Sequence, residues 1–333
     1  MNALTFPLLK QLADGKFHSG EALAKQFDVT RVTIWNAIQY AQQLGVEVFS
    51  VRGRGYKLPK AIEWLDKEEI LQAIGAEREW FNVEVLDEVV STNTYLMQAA
   101  ANGASHVSCA VTHIQTNGRG RRGRTWVSHL GGSLTFSLLW RFDCGAAALS
   151  GLSLAVGVAL IRALNELGIE NAQLKWPNDV LVNHQKLAGI LIDLQGDLDG
   201  PSAAVIGVGI NLNLPEAVRN RIDQPVVDVK HISHTDVNQN QLLGTILKCF
   251  ADVLRHFEQY GFIGIRDEWL RYHAYQHQAV KMLMPDGREI EGVVTDVADD
   301  GILIVETALG KQRFSAGEIS LRRLSLNNNK KEQ

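Results

Sequence analysis

Cysteine is scarce in this chain. Its 333 residues hold three, Cys109, Cys144 and Cys249, spaced too widely and irregularly for a disulfide framework or a zinc site. They read as free thiols of a protein kept in a reducing cytoplasm. No run of about 18 apolar residues occurs, which excludes a membrane-spanning helix of the usual kind. The opening MNALTFPLLKQLADGK has an apolar stretch but lacks a preceding basic region and a small-residue cleavage site, so it reads as a helix and not a signal peptide. A catalytic Ser-His-Asp or Cys-His set is also not evident. What is present is ordinary for a globular protein of two or three domains: 46% apolar and 21% charged residues. The net charge of −4 conceals an asymmetry, because residues 1–60 carry +4 and the remainder −8. A basic head on an acidic body suggests that the head meets a polyanion.

The head supports that suggestion. In SGEALAKQFDVTRVTIWNAIQYAQQLG, Ser19 is placed to cap a short helix carrying Leu23, Ala24 and Phe27 on one face. Asp28 and Val29 turn the chain, and Thr30 caps a second helix whose apolar positions are Ile34, Trp35, Ile38 and Ala41. Gly45 ends it. Two short helices around a tight turn form the helix-turn-helix pattern. VEVFSVRGRGYKL then reads as two short β-segments around a basic tip, and the whole looks like a winged helix. In that geometry the second helix enters the major groove and the hairpin rests on phosphates. The outward candidates are Arg31, Thr33, Asn36 and Tyr40, with Arg31 and Asn36 suited to base edges and Arg52 and Arg54 to phosphate. The alternative is a winged helix used only for protein contact. Pro59 begins a linker, and AIEWLDKEEILQAIG, residues 61–75, is expected to be a helix opening the next domain.

From about 66 to 275 strand-like and helix-like segments mix. A strand ends at Ser91-Thr92-Asn93 and a helix follows. Ser91 or Thr92 caps that helix, and the open N–H groups there either serve only the cap or also bind polar ligand atoms. The strand SCAVTHIQ, ending at Gln115, runs into GRGRRGRTW, where residues 118–124 are four arginines and three glycines. Arginine supplies permanent charge in a planar fork suited to phosphate and carboxylate. Glycine lets backbone approach an anion. Four guanidiniums repel one another, so the empty loop is expected to be disordered until an anion orders it. Its match to the dinucleotide-binding glycine pattern and to a P-loop fails, because both need a following helix and the residues after Trp126 read as a turn and a strand. Downstream, Lys175-Trp176 ends a strand, Pro177-Asn178-Asp179 turns it, and Lys186 opens the strand KLAGILIDLQ. A lysine there, facing a turn rich in Asn and Asp, is either a surface charge or a site residue. AAVIGVGINLN is a further buried strand whose glycines permit close approach, with Asn211 at its end.

Ser91-Thr92-Asn93, GRGRRGRTW, KWPND, KLAGIL and GVGINLN occur in this order in biotin protein ligases. The chain resembles that family over nearly its whole length, to about residue 325. With its winged helix it is similar to the bifunctional type that is both ligase and biotin operon repressor. The resemblance implies an α+β protein: a winged helix at 1–62, a mixed α/β catalytic domain of the biotin/lipoate ligase type at 66–275 and an SH3-like β-barrel at 278–325; the polar residues 327–333 read as a disordered tail. It implies that biotin is activated by ATP with Mg²⁺ to biotinyl-5′-AMP and passed to a lysine of the biotin carboxyl carrier protein of acetyl-CoA carboxylase. Ser91, Thr92, Asn93, Gln115, Arg119, Gly120, Arg121 and Lys186 would bind biotin. Arg121, Arg124, Trp126, Asn178 and Asn211 would lie by the nucleotide. Lys186, Arg119 and Arg121 would offset the repulsion between two anionic reactants, and Asp179 would orient or deprotonate the acceptor amine; the alternative for Asp179 is a turn residue bonding its own backbone. Arg322 or Arg323 could reach the nucleotide. The implied partners are the carrier protein, a palindromic operator, and a second copy in a homodimer favoured by the adenylate. Two competing readings remain, a biotin sensor without ligase activity and a ligase for lipoate or a related acid. Lys186 with all four loop arginines argues against the first, and KWPND with the winged helix against the second.

Overall fold

The computed structural model describes residues 2–196, 200–234, 236–315 and 320–323. The tail expected at 327–333 lies outside them. The head holds α1 (Thr5–Leu12), α2 (Gly20–Gln26), α3 (Arg31–Gln43) and the hairpin of β1 (Phe49–Val51) with β2 (Gly55–Lys57). Its caps follow from the sequence. Ser19 accepts from the Ala22 N–H and Thr30 from the Thr33 N–H, each taking up an orphan donor of a first turn. The buried stripe of α3 is Ile34, Ala37, Ile38 and Ala41. Trp35 is not in it. Its side chain points outward, because a residue next to Ile34 is rotated about 100° around the helix, and a 13-residue helix needs only one face for a core this small.

The central unit begins later than the helical periodicity suggested. Residues 61–66 are not helical, and α4 spans Lys67–Ile74 with Asp66 as its cap. β3 (Asn82–Val89), α5 (Thr92–Ala101) and β4 (Ser108–Gln115) follow. Next come a small hairpin, β5 (Gly118–Arg119) with β6 (Thr125–Trp126), then β7 (Ser133–Phe142), α6 (Leu152–Glu166), β8 (Ala172–Lys175), β9 (Asp179–Val182), β10 (Gln185–Gly196) and β11 (Ser202–Asn211). The short α7 (Glu216–Arg219) and α8 (Val229–Ile232) lead to α9 (Gln239–Tyr260) and α10 (Arg266–Tyr272). One seven-stranded sheet, ordered β3-β4-β7-β11-β10-β9-β8, carries the unit. β3 and β4 are parallel and the remaining neighbours antiparallel. Side-chain alternation assigns its faces. Ile206, Val208 and Ile210 of β11 join the core cluster that contains α6 and α9, whereas Gly207 and Gly209 open the opposite face.

The C-terminal unit is an antiparallel sheet of β12 (Ala279–Leu283), β13 (Glu289–Val297), β14 (Leu303–Thr307), β15 (Gly310–Phe314) and β16 (Ser320–Arg323), ordered β15-β14-β13-β12-β16. It shares the core of the central unit through Val280, Met282, Val294 and Leu303. No helix among the described residues is long and apolar enough to cross a membrane.

Candidate active site and nucleic-acid surface

The open face of the sheet holds a cavity of about 290 Å³ lined by Ser91, Thr92, Asn93, Gln115, Arg119, Gly120, Arg121, Arg124, Trp126, Asn178, Asp179, Lys186 and Asn211. Every biotin, nucleotide and catalytic candidate named between residues 66 and 275 therefore lines one cavity, whereas Arg322 does not line it. They arrive from β3–α5, β4, the arginine hairpin, the β8–β9 turn, and the facing ends of β10 and β11. Two glycines make the room. A Cβ on Gly207 would lie 1.9 Å from Asn93 Oδ1, and one on Gly209 2.3 Å from the Trp126 ring. The GVGIN strand is thus stripped of side chains where Asn93 and Trp126 lie on it.

One end of the cavity is a rigid polar corner. Ser91 stands at the N-cap position of α5 but makes no capping bond. The cap comes from across the sheet, where Gln115 Oε1 accepts from Thr92 N at 2.8 Å and Thr92 Oγ1 at 3.1 Å. The Ser137 hydroxyl lies 2.7 Å from Thr92 Oγ1 and 2.6 Å from Asn93 Oδ1. Asn93 Nδ2 donates to the Leu191 carbonyl and to Asp193, both at 3.0 Å. Ser137 was missed in the sequence, because a serine inside an apolar strand carries no local signal of its partner. These residues fit a small planar group presenting both donors and acceptors.

The other end is cationic. The arginine loop at 118–124, expected to be disordered when empty, instead lies in the β5–β6 hairpin, closed by Gly120 N donating to Arg124 O at 2.7 Å. Two of its four guanidiniums, those of Arg119 and Arg121, splay onto separate acceptors. Arg119 forks onto Asp193 at 3.0 and 3.3 Å, and Arg121 donates to Asn178 Oδ1 at 3.1 Å. Asn178 in turn donates to the Ile190 carbonyl at 2.7 Å. Burial lowers the Arg121 pKa from its ordinary value. Lys186 Nζ sits 2.7 Å from Asp179 Oδ1, and Lys175 Nζ 3.8 Å from Asp179 Oδ2. Burial opposes ionisation of Asp179, but the two ammoniums outweigh it and hold the carboxyl below its ordinary value. A carboxylate so held is a poor proton acceptor. The geometry favours the orienting role for Asp179 and speaks against deprotonation. Asn211 Nδ2 donates to the Lys186 and Val227 carbonyls at 3.0 and 3.1 Å, so it steadies the backbone that carries Lys186.

Lys175 is the residue that sequence reasoning passed over. Burial is the main cause that pushes its ammonium down to about 8, with Arg322, Lys186 and Arg124 adding to it against Asp179. Arg322 thus reaches the electrostatic field of the site from β16; the Arg323 side chain lies outside the described residues. Residues 221–224 also line the cavity, and nothing in their sequence marked them. Arg119, Arg121, Arg124, Arg221, Lys175 and Lys186 outnumber the carboxylates Asp179, Asp193 and Asp223, which is a charge imbalance suited to a polyanion. Among the described residues no three His, Cys, Asp or Glu side chains gather as a metal cage.

On the head, Arg31, Asn36, Arg52 and Arg54 are exposed. Thr33 is half-buried, with its hydroxyl 2.9 Å from that of Thr30. Arg54 stacks on the Phe17 ring at 4.3 Å. Tyr40 departs from the outward set, since its hydroxyl donates to Glu88 of β3 at 2.7 Å. Burial and then Glu88 push that phenol up to about 12. It docks the head on the body.

Comparison with known proteins agrees with this geometry. The profile of the biotin/lipoate A/B protein ligase family matches residues 85–211, an HTH domain 5–57, and the biotin protein ligase C-terminal domain 278–322. The "Bifunctional ligase/repressor BirA" of Salmonella typhimurium is 36% identical over 97% of this chain and 99% of its own length, and that of Escherichia coli 34% over 96% and 98%. This chain belongs to the biotin protein ligase family, in its bifunctional ligase/repressor branch. A biotin protein ligase from Aquifex aeolicus, solved in complex with biotin and ATP, superimposes with a TM-score of 0.62 at 30% identity, covering 73% of this chain and 99% of that one. In this member of the family, all three parts of the ligase/repressor are therefore present on one chain.

Proposed function

We propose that the cavity makes biotinyl-5′-AMP from biotin and ATP, and that the chain transfers the biotinyl group to a lysine of the biotin carboxyl carrier protein of acetyl-CoA carboxylase. The observation that carries this reading is the Lys186–Asp179 pair lying between a polar corner and an arginine hairpin. The ureido ring of biotin would bond Ser91, Thr92, Asn93 and Gln115. Arg119, Gly120, Arg121 and Lys186 would hold its carboxylate and the α-phosphate. Arg121, Arg124, Trp126, Asn178 and Asn211 would hold or border the nucleotide, with Lys175 at the phosphates. A carboxylate oxygen attacks the α-phosphorus, the bond to pyrophosphate breaks, and the fixed cations reduce the repulsion between the two anions. The acceptor amine then attacks the acyl carbon, an amide forms, AMP leaves with the bonding electron pair, and the amine proton passes to solvent. Asp179 keeps Lys186 oriented toward the leaving phosphate. Mg²⁺ fits as an ion travelling on the ATP phosphates, because Asp179 and Asp193 are already paired with lysine and arginine and no three carboxylates gather among the described residues.

The head, at 1–62, would repress biotin biosynthesis genes by binding a palindromic operator as a dimer, with the adenylate as co-repressor. The central unit at 66–275 and the C-terminal unit at 278–325 would carry catalysis in a cytoplasmic setting. One edge of β10 is unpaired by any described strand beyond Gly189. It lies beside the cavity and suits either the carrier protein or a second copy. The test is direct. Purified chain, ATP, Mg²⁺ and an acceptor domain are mixed with biotin or with lipoate, and the acceptor is weighed by mass spectrometry. Transfer of biotin alone is expected. Transfer of neither acid would favour a biotin-sensing regulator, and transfer of lipoate alone would redefine the substrate.

A further inference from the structure

Val32 and Trp35 are 65% and 52% exposed and stand one turn apart on the first half of α3. Neither belongs to the core of the head. Polar exposed groups flank them: Arg31 beside Val32 and Asn36 beside Trp35. From Arg31 to Gln43 the helix RVTIWNAIQYAQQ contains no acidic residue. The helix face is therefore apolar at its centre, carries no acidic residue along α3, and is set on a head of net charge +4. In a helix-turn-helix the N-terminal residues of the second helix meet the base edges. In the major groove the apolar group a base edge presents is the C5-methyl of thymine.

We propose that Val32 and Trp35 read thymine methyl groups in the major groove, making this patch a sequence-determining surface for duplex DNA. The proposal rests on the reading of the head as a DNA-binding module and adds the base it selects. Arg31 and Asn36 frame the two apolar side chains with donors for neighbouring bases. The acid-free α3 and the head's net charge of +4 suit the phosphates carried by both strands, and the HTH match of residues 5–57 favours duplex DNA as the occupant.

The full-length chain, supplied with biotin, ATP and Mg²⁺, is used to enrich duplexes from a randomised pool. The enriched duplex is made again with deoxyuridine for every thymidine, which removes the methyl groups and leaves the hydrogen-bonding edges unchanged. Affinity is read by fluorescence anisotropy at one fixed salt concentration. The wild type is expected to bind the uracil duplex about fourfold more weakly for each methyl group that it reads. Val32→Ala and Trp35→Ala should each weaken binding to the thymine duplex and shrink the thymine–uracil difference. Biotin transfer by both variants should be unchanged and their thermal unfolding profile should match the wild type, which checks that the catalytic unit and the head both fold. Equal binding of the two duplexes by the wild type overturns methyl recognition alone. A wild-type thymine–uracil difference retained in full by both variants also overturns it. Failure of the wild type to enrich any duplex overturns the DNA reading of the head with it. Loss of dimer mass in Trp35→Ala, with the thymine–uracil difference intact, would assign the patch to a second copy.

Discussion

Lys175 holds a buried ammonium within 3.8 Å of Asp179, in the company of Lys186, Arg124 and Arg322. Its lowered value of about 8 falls inside the range of ordinary assays. Below that pH the side chain is charged and available to phosphate; above it the charge is lost. The kcat/KM for ATP, which reports groups of the free enzyme, is expected to fall as pH rises through about 8. Lys175→Arg should flatten that limb, because a guanidinium stays charged, while the biotin dissociation constant stays level across it. A limb that persists in the arginine variant would place the titrating group elsewhere. The linkage to stability has the opposite sense. The folded chain binds fewer protons at Lys175 than the unfolded chain between about 8 and 10.5, so this site's contribution to stability rises with pH across that window.

At the scale of elements, the β8–β9 turn is held both from the C-terminal unit and from within the central one. Trp176 is fully buried, and its Nε1 donates to the Gly301 carbonyl at 3.1 Å. Ser153 of α6 donates to the Pro177 carbonyl at 3.1 Å. The turn after β13 in the C-terminal sheet thus grips the residue between Lys175 and the Pro177-Asn178-Asp179 turn. Trp176→Phe keeps an aromatic ring but leaves a buried carbonyl unpaired, at about 1–3 kcal/mol. The expected result is an ATP KM raised several-fold with the biotin dissociation constant unchanged, since the polar corner is built on other elements. Steady-state kinetics with calorimetry separates this from a general loss of fold, which would move both.

At the scale of the molecule, the head is seated on the catalytic unit. Ile114 and Leu130 belong to the head's core cluster. His113 stacks near Phe6 at 6.0 Å and meets Trp64 edge-on at 4.9 Å. Burial, and then Lys10, lower its imidazole to about 4. The folded state therefore excludes a proton that the unfolded state takes up at about 6.5. The stability from this seam is fully present above about 6.5 and is lost as pH falls toward about 4. Scanning calorimetry between these values should show the midpoint falling, and His113→Phe should flatten that fall. An equal slope in the variant would mean that the seam does not depend on this imidazole. β4 carries His113, Ile114 and Gln115 in succession, so the residue capping α5 at the cavity is next to those holding the head.

Local chemistry was legible in the residues. Ser19 and Thr30 cap where their spacing indicated, the GRGRRGR run marked the cationic end of the cavity, and the glycines of β11 marked its open face. These features depend on groups near in sequence or on residue types with few structural uses. What only the tertiary structure decided depends on partners far along the chain. Gln115 replaced Ser91 as the cap of α5 because strand pairing brings it beside Thr92. Tyr40 left the DNA face because Glu88, 48 residues away, supplies its acceptor. Trp35 left the core because the stripe of α3 is filled by Ala37, and the arginine loop is ordered because Asp193 and Asn178 pair its guanidiniums. Periodicity and composition specify which groups need partners. Only the packed sheet determines which partners they find, because burial and distance are properties of the whole chain.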